Sequence, residues 1–397
     1  MSASLSPSAL SSLPPANEIP SAFAASMKQW WAAGEKQSAI SEERLLRRLP
    51  FFRKDASASV DGPVVAHSSR IELSTPKHYV NTFSITPTSP SSTAPPPTVL
   101  LHGYGAGLGF YFQNFLPLAD WAGRRGSSVY ALDWLGMGRS ARVPFTVKAS
   151  RKDIPGRVKE AESFFIDSLE DWRQKMGLDK MTLVGHSLGA YFSVVYALKY
   201  PTRELEASEA HGPGGSTEPA TTQKVQEIES RQRTVKAQES RTRKLFTYLW
   251  EEGWSPFQVV RSTMFWGPLI VGKYSSRRFT GLTPEETRDM HDYILNITLA
   301  KGSGEYCISH ILAPGAHARM PIVDRISALK IPVTFVYGDH DWMDPEGGQE
   351  SVERLRQAGN GQGRMYIVNN AGHHVYLDNA KLVNDLLLKE LDRQPLV

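Results

Sequence analysis

An α/β fold with a mostly parallel central sheet and helices on both faces is predicted by three observations. Short apolar runs alternate with helical stretches through residues 97–200 and again through 326–397. The run Met181-Thr182-Leu183-Val184 passes into Gly185-His186-Ser187-Leu188-Gly189 and then into the apolar helical stretch 190–198, so strand, tight turn and helix follow without a gap. An apolar share of 41% over 397 residues suits one enlarged domain with a sizeable core and insertions or tails. Such alternation implies parallel strands covered on both sides.

Along the chain, residues 1–26 are rich in Ser, Pro and Ala and are expected to form a disordered tail. Residues 27–65 combine Trp30, Trp31, Leu45, Leu46, Leu49, Phe51 and Phe52 with Arg44, Arg47, Arg48, Arg53 and Lys54. That mixture suits a segment lying at a lipid interface, or a helix packed on the domain's own surface. A first part of the core spans 66–202, with strands at 70–73, 79–85, 97–101 and 129–133 and helices at 110–122 and 161–175. Residues 203–244 contain nothing that suits a buried strand and are expected to be a solvated or disordered polar insertion. Aromatics return in 245–325, where Phe246, Tyr248, Trp250, Trp254, Phe257, Phe265 and Trp266 suggest a lid, with core packing as the alternative. Strands at 331–338 and 364–368 and a helix at 381–391 complete a second core part, 326–397.

The turn around Ser187 carries the first chemical signal. G-x-S-x-G between a buried strand and a helix is the nucleophile elbow of an α/β-hydrolase fold, and Gly185 and Gly189 relieve crowding around a strained serine. An oxyanion hole is expected from the Leu188 amide and from the Tyr104 amide in His102-Gly103-Tyr104-Gly105-Ala106-Gly107. A dinucleotide fingerprint there fails on spacing, because position 108 is leucine. His102 suits a hydrogen-bonded structural role. Asp339, Asp341 and Asp344 follow the strand 331–338, and His373 and His374 follow the last strand, in the Ser–Asp–His order this fold uses. Asp341 is the expected partner of His373, with Asp344 and His374 as alternatives. A metal reading of Asp339, His340, Asp341 and His373 lacks H-E-x-x-H or paired-cysteine spacing, so no metal is expected. Serine at the elbow argues against an epoxide hydrolase or dehalogenase, which place aspartate there.

With these residues placed, the chain resembles one α/β-hydrolase branch. That branch holds the fungal cardiolipin-specific deacylase, the lipid-droplet coactivator of adipose triglyceride lipase and N-acyl-phosphatidylethanolamine lipase. The likeness is carried by residues 101–109, 132–140, 184–189 and 337–344, and by 371–378, which looks like the family's H-x4-D motif with His373 and Asp378. Asp378 is equally suited to cap the helix that follows. Membership implies phospholipid deacylation or acyl transfer, no cofactor and a peripheral site at a membrane or lipid droplet, with mitochondrial or endoplasmic-reticulum location by analogy. The coactivator carries Asn at the nucleophile position, whereas this chain has Ser187. The family's strand after the nucleophile helix, an apolar run ending in Ser-Pro, is missing, which would leave the sheet interrupted at its centre.

Composition narrows the partners. A net charge of +4 is too small to argue for nucleic acid and would not oppose an anionic membrane. The single Cys307 excludes an intrachain disulfide. No apolar stretch has the length of a spanning helix, and the amino terminus lacks a secretory-signal pattern.

Overall fold

The computed structural model describes residues 13–54, 62–201, 241–279 and 281–393. In chain order these form α1 (Phe23–Ala32), α2 (Glu35–Leu46), β1 (Val64–Glu72), β2 (Tyr79–Pro87), β3 (Thr98–Leu101), α3 (Phe115–Arg125), β4 (Val129–Leu132), α4 (Ile154–Lys175), β5 (Thr182–Gly185) and α5 (Leu188–Lys199). Next come α6 (Arg241–Glu251), α7 (Pro256–Ser262), α8 (Gly267–Arg278), α9 (Pro284–Leu299), β6 (Val333–Gly338), α10 (Glu346–Gln357), β7 (Gly363–Val368) and α11 (Ala380–Asp392). Most of the polar interval 203–244 lies outside the described residues; its last residues open α6.

Every residue of β3 and β4 is buried, as expected of short strands without a polar face. The sheet runs β1-β2-β4-β3-β5. β3 pairs in parallel with β4 and β5, whereas β1–β2 and β2–β4 are antiparallel, so this sheet is mixed rather than mostly parallel. The physical reason is the tight turn at 73–78, which returns the chain as a hairpin. Pairing extends from Val64 opposite Pro87 to Glu72 opposite Tyr79, well beyond the apolar cores that the sequence marks.

β5 is the last strand of the five-stranded sheet, and the described strands between it and β6 in the chain, Leu312–Ala313 and His317–Ala318, pair only with each other. β6 pairs in parallel with β7 as a separate ladder. The apolar side chains of β6, from Val333 to Tyr337, are only half-buried. A central strand flanked on both sides would be more fully covered than β6 is among the described residues.

Helix boundaries follow local caps. α4 starts seven residues before the expected 161, because Asp153 accepts the Gly156 N–H at 2.9 Å and Pro155 occupies the first turn. The stretch expected as one helix over 110–122 divides into a 3-10 turn, Leu108–Tyr111, and α3, which stops at Gly126 with φ +65°.

The described amino-terminal residues are packed, not a loose tail. Asn17 Nδ2 donates to Asp292 Oδ1 at 2.9 Å, and Arg44 bridges the Pro14 carbonyl and Asp292. Arg48 pairs with Asp289, so Arg44 of α2 and Arg48 just after it meet two carboxylates of α9. Leu45 and Leu46 join the core formed by Phe110, Tyr293 and Ile294. For α2, packing on the domain's own surface therefore replaces the lipid-interface reading. Truncating Leu45 to Ala should cost about 2–5 kcal/mol, read as a lowered urea midpoint.

Candidate active site

Ser187 stands between β5 and α5 with φ +53° and ψ −116°, a backbone region that side chains rarely adopt. Glycines on either side make it possible. A Cβ at Gly189 would collide with the Leu101 carbonyl of β3, and one at Gly185 would meet the backbone of Gly189 and Ala190. The half-buried Ser187 hydroxyl makes no hydrogen bond among the described residues.

Two loops meet beside it. The acid loop after β6 and the base loop after β7 are joined by His340 N–H to the Ala371 carbonyl at 2.9 Å and by Ala371 N–H to Asp339 Oδ1 at 3.1 Å. Gly338 permits this, since a Cβ there would strike the Ala371 carbonyl. Asp341 Oδ1 accepts from His373 Nδ1 at 2.9 Å and also from the Met343 N–H at 2.9 Å. A proton on Nδ1 leaves Nε2 of His373 as the free basic nitrogen. Exposed Trp342 lies 4.8 Å from the His373 ring, centroid to centroid.

The elbow holds the base loop directly. His186 Nε2 donates to the His373 carbonyl at 2.9 Å, which fixes its tautomer. Burial, with His373 nearby, pulls the His186 ring down to about 3, so it stays neutral. Gly103 packs against this unit: a Cβ there would sit 2.9 Å from His186 Nδ1 and 3.0 Å from Ser187 Cβ. The oxyanion loop is thus brought to the serine. The Tyr104 and Leu188 amides donate to no group among the described residues. Leu188 N–H also opens α5, where unpaired donors favour negative charge.

Other glycines of that loop serve close packing. Gly107 and Gly109 lie against the Tyr293 ring of α9, whose hydroxyl accepts the Gly109 N–H at 3.2 Å. Phe257 of α7 stacks on Tyr104 with centroids 5.5 Å apart, so α7 touches the Gly103 loop at this ring. His102 is structural: Nδ1 donates to the Gly103 carbonyl at 2.8 Å, Nε2 accepts from Trp134 N–H at 3.2 Å, and burial lowers its proton affinity.

The remaining acidic and basic candidates take other places. Half-buried His374 is held well below its usual range by desolvation, and its Nδ1 accepts from Arg278 Nε at 3.3 Å. Asp344 accepts the Glu346 N–H at 2.9 Å just ahead of α10. Asp378 does not cap α11; Asn379 does, because Asp378 is occupied by Gly372 N–H at 2.9 Å and Arg278 at 2.7 Å. Among the described residues no three potential ligands converge on a metal position. His186, Tyr293 and Arg278 are site-building residues that sequence reasoning missed. Only His186 had a signal, its place inside G-x-S-x-G.

Strand order, elbow and paired loops are those of an α/β-hydrolase, and the family model described as alpha/beta hydrolase fold matches residues 96–204. A 1-acylglycerol-3-phosphate O-acyltransferase of Arabidopsis thaliana is 32% identical over 88% of this chain and 79% of its own length. A (lyso)-N-acylphosphatidylethanolamine lipase of Homo sapiens is 28% identical over 75% of this chain and 79% of its own. The chain belongs to the α/β-hydrolase branch that holds these two proteins. Among solved structures, the carboxylesterase CesB of Bacillus subtilis superposes with a TM-score of 0.50 at 17% identity, over 89% of this chain and 97% of that one, which shows the fold alone.

Two outcomes follow from this geometry. Ser187→Gly should be more stable than Ser187→Ala by about 1 kcal/mol or more, since glycine removes the strain at positive φ. Unfolded, His186 binds a proton below about pH 6.5, whereas the folded ring stays neutral to about 3, so its burial costs stability as pH falls through that window. His186→Gln should therefore reduce the acid-side slope of stability by up to about 1.4 kcal/mol per pH unit between roughly pH 6 and 4, measured by urea unfolding.

Proposed function

We propose that this protein is a serine hydrolase that cleaves acyl esters of membrane phospholipids, cardiolipin-type or related, with acyl transfer to a lysophospholipid as a second outcome of the same chemistry. The observation that carries this reading is the 2.9 Å bond from His373 Nδ1 to Asp341, beside a serine held at φ +53°. In this mechanism His373 Nε2 takes the Ser187 proton as Oγ attacks the acyl carbonyl. The Leu188 and Tyr104 amides receive the developing oxyanion. His373 then gives its proton to the departing glycerol oxygen, and the acyl-enzyme is resolved by water or by the hydroxyl of a lysophospholipid. The two relatives support the lipid class, since their names join an acyltransferase and a lipase of glycerophospholipids.

A peripheral location is supported by the outer face of α1 and the lid. Phe23 packs 4.8 Å from Trp266, while Trp31, Met264, Trp266 and Ile270 are exposed and Lys28, Lys273 and Arg277 lie at the surface around them. Aromatic and basic residues on one face suit an anionic lipid interface. No described helix is long and apolar enough to cross a membrane. The separation of β6–β7 from β5 favours a second reading, a catalytically weak lipid-surface adaptor or lipase coactivator, because the acid loop then lacks continuous sheet beneath it.

A fluorophosphonate probe should label wild type at Ser187. Liposomes of mixed phospholipids should release fatty acid and lysolipid, identified by mass spectrometry. Ser187→Ala should abolish both. Biological activity that survives Ser187→Ala but not joint removal of Trp30 and Trp31 would instead establish the adaptor. Trp31→Ala with Trp266→Ala should weaken vesicle co-sedimentation while leaving hydrolysis of a soluble short-chain ester intact.

A further inference from the structure

Arg278 is the last residue of α8, a lid helix that exposes Ile270 and Tyr274 on its outer side. Its side chain reaches from the lid to the base loop. Nη1 donates to Asp378 Oδ1 at 2.7 Å, and Nε donates to His374 Nδ1 at 3.3 Å. The second oxygen of Asp378 accepts the Gly372 N–H at 2.9 Å, one residue before His373. One guanidinium thus grips both flanks of the base: the carboxylate that fixes Gly372, and the ring that follows His373. That ring is itself held, lying 5.9 Å from Phe110 and 5.0 Å from His186, centroid to centroid. At its other end α8 is tied to α1, where Ser26 accepts the Leu269 N–H at 3.2 Å and donates to the Phe265 carbonyl.

We propose that Arg278 is a positioning residue for His373, through which α8 links the lipid-facing surface of the lid to the catalytic base. The proposal deepens the hydrolytic reading of Ser187, His373 and Asp341 and rests on it. Arginine suits the task because its planar fork offers donors at fixed angles to two acceptors, whereas lysine offers a single point charge. A partly exposed ion pair adds little to fold stability, so its loss is expected to show in the chemistry.

The test uses the purified full chain as wild type, Arg278→Gln, Arg278→Lys, Asp378→Asn and the Arg278→Gln/Asp378→Asn double variant. Two substrates are assayed: a soluble p-nitrophenyl ester and lysophosphatidylcholine in vesicles. Arg278→Gln should lower kcat on the soluble ester by roughly 10- to 100-fold with little change in KM, the size expected of a misplaced base. The double variant should be no worse than the poorer single one, since both act through one linkage. Arg278→Lys should recover part of the loss, and vesicle binding should not change. Base orientation is read without turnover from the low-field proton resonance of His373 Nδ1–H in 15N-histidine-labelled protein, retained in wild type and lost in Arg278→Gln. Unchanged kcat in Arg278→Gln, or losses that multiply in the double variant, overturns the proposal. A wild type that hydrolyses nothing, yet loses the resonance on Arg278→Gln, overturns the hydrolytic reading and upholds the role of Arg278.

Discussion

The first turn of α5 rests on the carbonyl end of β3, and the site depends on that approach. Gly189 lies where any side chain would strike the Leu101 carbonyl, so the helix can begin almost on top of the strand. The connection is then too short for relaxed backbone, and Ser187 takes up the strain at φ +53°. The same compression aims His186 inward, where its Nε2–H meets the His373 carbonyl. Gly103 fits against that histidine and sets the oxyanion loop beside the serine. Ser187, the loop carrying His373 and the Gly103 loop are all referred to one backbone contact.

Around this centre the charges are held by donors, not left to solvent. Asp133 is fully buried and accepts from the Leu108 and Arg139 amides and from Asn81, each at 2.8 Å, which pins the oxyanion loop to the loop after β4. Asn81 and Arg139 also reach Glu42 of α2, whose carboxyl burial pushes up to about 7. The amino-terminal helix is thereby wired to the same polar network that shapes the site. A half-satisfied network of this kind would be costly, and here the shared donors satisfy both acids.

Among the described residues the β6–β7 ladder does not pair with β5. In a continuous sheet the acid loop would rest on flanking strands. Here it is steadied by the base loop, through Asp339, His340 and Ala371, and that loop is held in turn by His186 of the elbow. The His373–Asp341 pair therefore survives as a local assembly while the ladder that carries it stands apart from the main sheet.

Residues adjacent in the chain carried much of this by themselves. G-x-S-x-G between an apolar run and an apolar helix specifies an elbow because small residues, strand and helix are all local. The fully buried β3 and β4 were legible for the same reason, as were the order and loops of Ser187, Asp341 and His373. Contacts between distant segments were not. Asp341 stood first among three acids in the sequence, but its bond to His373 depends on how two loops zip together, and the contact of His374 with Arg278 had no signal in the chain. The glycine-rich loop disclosed flexibility but not Tyr293, and α2 showed arginines and leucines without their partners on α9, more than 240 residues away. Local sterics are written in consecutive residues, whereas partnership across the core exists only once the chain has closed.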